Sequence, residues 1–414
     1  MDPRAEFDTL LRTAAPHAQP ARGHYTTCMR IIHTADIHLD RSFADLSLPP
    51  AQGSACRGHL FATLQAILNR AAAWPASATV ISGDLFEHER VTRATIKRLR
   101  EAFAGIAPIP VVLCPGRHDP CVAGSPYLTE QWPDNVHIFT TFAWTPFPVE
   151  GAPLTIHGFA WTAPDHDGTL PPPVAIPEDG RVHVAFGYGL AGDVLHGAPL
   201  EAARFGTPPA LPSGLAFLGL GELHATRAVE NHGGVPVWYA GAPEGHAFAA
   251  RGPHHYLEIG IAGADAVPDV TPATASEGRF LSITLDCSEF ESGQDLIDAF
   301  RGALGGRGKE QYVRLALEGR MPRPIYDEMD GIRDVLEDEV YCLQWHDACQ
   351  VAEDYDAIAR EHTSLGAFVA RIGAEIHDTP THTLRRQRQY SRDLGLCAFR
   401  GTELPIRGLA GVRR

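Results

Sequence analysis

No stretch of about 18 consecutive apolar residues occurs in the 414-residue chain, so no membrane-spanning helix is expected. The N-terminus has no basic region followed by an apolar run, and a secretory signal is not expected either. Eight cysteines are present (Cys28, Cys56, Cys114, Cys121, Cys287, Cys342, Cys349 and Cys397), but no two form a C-x-x-C pair. That spacing disfavours a zinc knuckle or dithiol centre. Without an export signal the thiols are expected to be free, in a reducing cytoplasm. Positive charge is also short: 35 Lys and Arg against 50 Asp and Glu leave a net charge of −15. This argues against coating of a nucleic acid by bulk electrostatics. It leaves room for a local basic groove, because affinity depends on where the charge sits. No internal repeat is evident.

What is present reads as two or three globular units. Residues 1–28 are rich in Ala, Pro and His and carry no helical period beyond Phe7–Leu11; with Met29 just before the first strand, they read as a disordered extension. Met29–Thr34, Thr79–Ser82 and Pro110–Leu113 read as buried strands, alternating with helices over 57–74 and 91–104. From about Val136 the strands shorten and turns become denser: Leu154–Gly158, Val182–Phe186, Ala216–Leu220, Val235–Ala240 and His255–Ile259 predict a second sheet packed on the first. Residues 262–278 have no period and read as a linker. Phe280–Asp286 and Tyr312–Glu318 flank a helix at Gly293–Leu304, which predicts a small α+β unit over 279–350; Tyr341–Trp345 is a further candidate strand. Ile358, Leu365, Phe368, Val369 and Ile372 mark a helical stripe in a tail over 351–414.

Polar residues stand where the strands end. Asp36-Ile37-His38 follows the first, Gly83-Asp84 the second, Gly116-Arg117-His118-Asp119 the third, and Gly221-Glu222-Leu223-His224 the strand over 216–220. In α/β sheets ligands gather at the carboxyl ends of strands, so four such motifs in order point to one site. Each alone is an ordinary polar loop.

The ordered set resembles the calcineurin-like metallophosphoesterases, whose pattern is D-x-H, G-D, G-N-H-D, an isolated His, then G-H-x-H. The neighbouring text (HTADIHLD, SGDLFE, PGRHDP, WYAGAPEG, and AREHTSLGAFVARI with LGLCAFRG) resembles the SbcD/YhaO-type DNA-repair exonucleases over about residues 29–400. The resemblance implies an α/β fold: a four-layer α/β/β/α core over 29–261, a small α+β capping domain and a C-terminal helical tail. It implies two Mn²⁺ ions sharing one Asp, with His118 as catalytic histidine and Asp119 orienting its ring. Asp36, His38, Asp84 and His224 match the first ion's ligands. The second ion's set is altered. Arg117 stands for its Asn, Glu222 for a His that a carboxylate can replace, and Gly187 or Tyr188 for the isolated His.

Two readings of Arg117 follow. Its guanidinium takes over the second cation's work by gripping phosphate oxygens, or it pairs with Glu222 and closes the site. The first leaves a metal-dependent phosphodiesterase acting on DNA, the nuclease subunit of an SbcCD-like repair complex. The second leaves a pseudo-nuclease kept for DNA binding or assembly. Arg41 and His246 are candidate substrate contacts, each with a bland alternative as a solvated or loop residue. Arg385, Arg386, Arg388 and Arg392 form a basic stretch, read as a solvated helix face or a nucleic-acid or partner contact. The resemblance further implies a homodimer and docking on a coiled-coil ABC-type ATPase of the SbcC/YhaN kind.

Overall fold

MRIIHT, ATVIS and VVLC are apolar along their length rather than at alternate positions, the pattern of strands covered on both faces. The computed structural model describes residues 28–163, 170–189, 214–232, 234–250 and 252–401. In it these runs are β1 (Met29–Thr34), β2 (Ala78–Ser82) and β3 (Val111–Cys114), and all their residues but Arg30 are buried. They pair in parallel, together with β4 (Val136–Ile138). The strands β11 (His254–Ile261) and β12 (Asp269–Ser276) extend the sheet antiparallel beyond β1, giving the order β12-β11-β1-β2-β3-β4.

The second sheet takes β5 (Thr145–Pro148), β6 (Leu154–Gly158), β7 (Val182–Tyr188), β8 (Phe217–Gly221), β9 (Arg227–His232) and β10 (Val235–Tyr239), in the order β5-β6-β7-β8-β10-β9. Val80, Ile81, Val112 and Leu113 of the first sheet share a core with Ile156, Val184, Phe186 and Phe217 of the second. Each such side chain contributes about 1.5–3 kcal/mol on burial. Helix Pro50–Ala73 begins on a proline and buries Leu60, Leu64, Ile67 and Leu68 against the first sheet. Helix Arg93–Ala104 is capped by Thr92, whose hydroxyl accepts the Thr95 N–H at 3.1 Å.

The mixed α/β core of two facing sheets is therefore as expected. On the outer face of the second sheet, Phe159, Trp161, Leu218, Leu220 and Tyr239 are covered by Leu170 and Ile176. No helix lies there among the described residues; residues 190–213, between β7 and β8, are outside them, as are residues 1–27 of the expected N-terminal extension over 1–28.

The expected linker over 262–278 is a correction. Eight of its residues form β12, an edge strand that pairs with β11 from His254 to Gly260. Its mostly exposed side chains hide the apolar signal, while the backbone still finds a ladder. The capping unit follows: β13 (Phe280–Asp286), β14 (Tyr312–Glu318) and β16 (Cys342–Asp347) pair in parallel, with β15 (Arg320–Pro322) and β17 (Gln350–Ala352) beside them. Helix Gly293–Leu304 covers this sheet and starts in a Ser292–Asp295 capping box. The cap leans on the site loops: Gln344 Nε2 reaches the Leu46 carbonyl, and Phe43 stacks on Phe280. The tail forms helices Tyr355–Ala359, Ser364–His377 and His382–Arg400, joined by Ile358, Val369 and Leu396.

Burial also sets a pH response. His33 lies between the sheets, its Nε2 2.9 Å from Ser82 Oγ and its ring edge-on to Phe186. Desolvation lowers its pKa to about 3. The unfolded chain therefore takes up a proton below about pH 6.5 that the folded chain refuses until about pH 3. His33 costs no stability above that window, and within it about 1.4 kcal/mol is lost per pH unit. Urea unfolding of wild type and His33→Gln between pH 7 and pH 4.5 should show the variant with the shallower decline; equal slopes would contradict this.

Candidate metal centre

The loops after β1 and β2 zip together beyond the strands. The Asp36 and His38 N–H groups donate to the carbonyls of Gly83 and Asp84 at 3.1 and 2.8 Å, and Leu39 bonds Leu85 at 3.0 Å. Asp36, His38 and Asp84 each sit at φ +52°, a left-handed backbone that costs a non-glycine residue about 1 kcal/mol. Such strain collects at functional sites. It brings two fully buried carboxylates and one buried imidazole into a single cluster.

His38 is held as metal-binding imidazoles usually are. Its Nδ1 lies 2.9 Å from Glu87 Oε1, while Nε2 has no hydrogen-bond partner and faces Asp84 Oδ2 at 3.7 Å. An unpaired buried polar atom costs about 1–3 kcal/mol. A cation accounts for it, with the outer carboxylate fixing the ring. His224, half-exposed, closes the group with Nε2 4.0 Å from Asp36 Oδ1. Desolvation, then the charges of His38 and Arg41, lowers its pKa to about 3, leaving the neutral imidazole that a ligand requires. Burial first, and the Asp84 charge second, push the Asp36 carboxyl well above the usual carboxylate range. A divalent ion offsets such repulsion. Asp36, His38 and Asp84 form one candidate cation-binding group, and His224 joins His38 and His246 in a neighbouring one, so the four expected ligands lie side by side.

The second position is filled differently. Tyr188 donates its hydroxyl to Asp84 Oδ2 at 2.6 Å, occupying the oxygen that a second cation would share. Its ring lies on Gly83, where a Cβ would meet it at 2.1 Å, so only glycine fits beneath. Arg117 Nη2 lies 3.5 Å from Glu222 Oε1, and its guanidinium stands 5.0 Å above the Trp161 ring. Glu222, expected as a ligand, joins none of the candidate metal-binding groups among the described residues, and its carboxylate faces Arg117. Its backbone N–H instead donates to Asp36 at 3.2 Å.

Asp119 is also corrected. It does not orient the His118 ring. Fully buried, it accepts the Gly116, Asp84 and Leu85 N–H groups at 2.7–3.0 Å and the Tyr127 hydroxyl at 2.6 Å, clasping two loops. The ring is held by Glu87, whose Oε2 is 3.0 Å from His118 Nδ1. Glu87 therefore spans both His38 and His118. Sequence reading missed it; its signal was position, three residues after Asp84 where the two loops pair. The Glu87 bond, against opposing desolvation, raises His118 to about 9. Burial alone would raise the Glu87 carboxyl, but the bonds from His118 and His38 outweigh it and hold it below the usual range.

Residues 29–202 match the family model described as calcineurin-like phosphoesterase. Over 324 residues the chain is 26% identical to a Bacillus subtilis (strain 168) protein named "Uncharacterized metallophosphoesterase YhaO", covering 74% of this chain and 76% of that one. A solved structure of a Vps29 single mutant from Entamoeba histolytica covers 59% of this chain and 99% of its own, at 10% identity and a TM-score of 0.27.

Around this centre, Arg41 is near enough for its charge to act on His224 and His246, and it pairs with Asp45 at 3.1 Å. His246 lies inside the centre, its ring 5.0 Å from those of both His38 and His224. Among the tail arginines, Arg385 and Arg388 bond the Thr379 turn and Arg392 stacks on Tyr355, so these three serve packing within the tail.

Proposed function

We propose that the chain is a phosphodiesterase that works with one divalent ion, Mn²⁺, and the Arg117 guanidinium, and that its substrate is DNA. The unpartnered, buried His38 Nε2 facing Asp84 carries the reading. When bound, such an ion supplies Lewis acidity toward a phosphate oxygen. As a water molecule attacks phosphorus and the P–O bond to the leaving group breaks, His118, which keeps its proton at neutral pH and is nearly half-exposed, donates that proton to the leaving oxygen. Glu87 holds that ring in place. Arg117 swings from its 3.5 Å pairing with Glu222 to grip two phosphate oxygens. The open side of the site, with His118 and His224 each almost half-exposed, supports a long substrate over a small enclosed nucleotide.

The Arg117–Glu222 pair also favours a second reading, a closed site that binds without cutting. One assay separates them: hydrolysis of bis-p-nitrophenyl phosphate and duplex DNA with Mn²⁺, against the same protein in chelator. A rate no higher than the chelated blank sinks the enzyme reading. Arg117→Ala should lower kcat/KM by about 10²–10³-fold, as expected for one charged donor to a developing phosphate charge. An unchanged or faster variant would make Arg117 a plug.

For partners, the reading includes a homodimer and a coiled-coil ABC-type ATPase, in the cytoplasm. Leu384, Tyr390, Leu394 and Phe399, apolar and exposed on helix His382–Arg400, support it. Among the described residues no helix is long and apolar enough to cross a membrane.

A further inference from the structure

We propose that His246 is a metal ligand, so that His38, His224 and His246 together offer three imidazoles to the ion held by Asp36 and Asp84. This rests on the one-ion reading and adds to it a residue outside the strand-end motifs.

Every other buried histidine among the described residues has a hydrogen-bond partner. His33 has Ser82, His38 has Glu87, His157 and His183 have each other, and His254 has the Ala242 carbonyl. His246 is 4% exposed, and neither ring nitrogen has a partner. Imidazole carries one N–H and one lone pair, so both are left unmet. Its ring stands edge-on to those of His38 and His224, each 5.0 Å away and at 90°. One nitrogen from each of the three lies within 4.8 Å of the others, and His38 is also the member shared with the Asp36–Asp84 group.

The chemistry is consistent. Two carboxylates neutralise a divalent ion, and neutral imidazoles add donors without adding charge. Glu244-Gly245 and Phe248 anchor the segment that carries His246: Glu244 is buried and accepts from Thr63, Ser276 and the Gly245 N–H, and Phe248 packs on Phe280. The ring is therefore presented by a fixed turn. Imidazole suits Zn²⁺, Fe²⁺ and Co²⁺ better than Mn²⁺, which prefers oxygen. The third imidazole makes the centre more favourable to the former group than a two-histidine site would be.

Two measurements on the full chain test this. X-ray absorption of wild-type protein loaded with Co²⁺ should show three imidazoles on the ion; two would overturn the assignment. Calorimetric titration with CoCl₂ and MnCl₂ should show His246→Asn weakening Co²⁺ by about tenfold or more, and Mn²⁺ by less. Equal binding by variant and wild type would overturn it. Wild-type protein that binds no ion would instead overturn the one-ion reading on which it rests. The absorption measurement decides the matter on wild type alone should the variant fold poorly.

Discussion

Asp84→Asn should lower turnover by about 10³-fold or more, the several kcal/mol that a Lewis-acidic ion contributes to phosphoryl transfer. It should abolish ion binding as well, yet the ion-free variant should melt above ion-free wild type. The reason lies in what surrounds the carboxylate. Asp84 is 1% exposed; it accepts the His118 N–H at 2.8 Å and the Tyr188 hydroxyl at 2.6 Å. Asparagine keeps an oxygen for His118 and offers its amide to a tyrosine hydroxyl that can turn to accept. What is lost is charge. Asp36 and Asp119 are also fully buried, and after burial itself the Asp84 charge is the largest influence raising each, Asp119 to about 6. Removing that charge relieves a repulsion on the order of 1 kcal/mol, the usual exchange of stability for function at such a centre. Melting with and without Mn²⁺ reads both effects. Wild type should gain on Mn²⁺ addition and the variant should not. A variant that still shifts with Mn²⁺ would remove Asp84 from the ligand set.

How much of this was legible depends on range. Asp36, His38, Asp84, His118 and His224 stood out because each follows a strand, and a strand-end loop has nowhere to place a polar residue but the shared edge. β12 was hidden because an edge strand needs only one covered face, and its mostly exposed DVTPATAS carries no alternation. Glu87 was hidden because its role depends on the Leu39–Leu85 pairing across two loops, a contact with no local signal. His246 was noticed by its neighbourhood, but its unpaired nitrogens appear only once the ring is enclosed.

The same reasoning explains why the altered residues belong together. A second cation would need the Asp84 oxygen that Tyr188 now holds, and Tyr188 can lie there only because residue 83 is glycine. Arg117 brings a positive charge beside the centre, and Glu222 places a negative one against it. The pair keeps local charge near balance and leaves Asp36, His38 and Asp84 grouped.

The last expectation concerns the residue that joins both halves of the chemistry. Glu87→Gln should lower kcat by about 10²–10³-fold and weaken ion binding about tenfold, from one substitution at the residue that braces both rings. Glutamate meets two ring nitrogens, His38 Nδ1 at 2.9 Å and His118 Nδ1 at 3.0 Å. Both must be N–H donors if His38 is to present Nε2 to a cation and His118 is to carry a proton. A glutamine has one acceptor oxygen and one donor amide, so only one ring can be satisfied. If the amide faces His38, its tautomer is lost and ion affinity falls most; if it faces His118, the proton donor is lost and kcat falls most. Measuring ion affinity by calorimetry and kcat at saturating Mn²⁺ separates the two. Glu87→Asp, shorter but with both oxygens, should recover part of each. Should Glu87→Gln leave both quantities within about twofold of wild type, the carboxylate would be a loop brace and His118 would need another source for its proton.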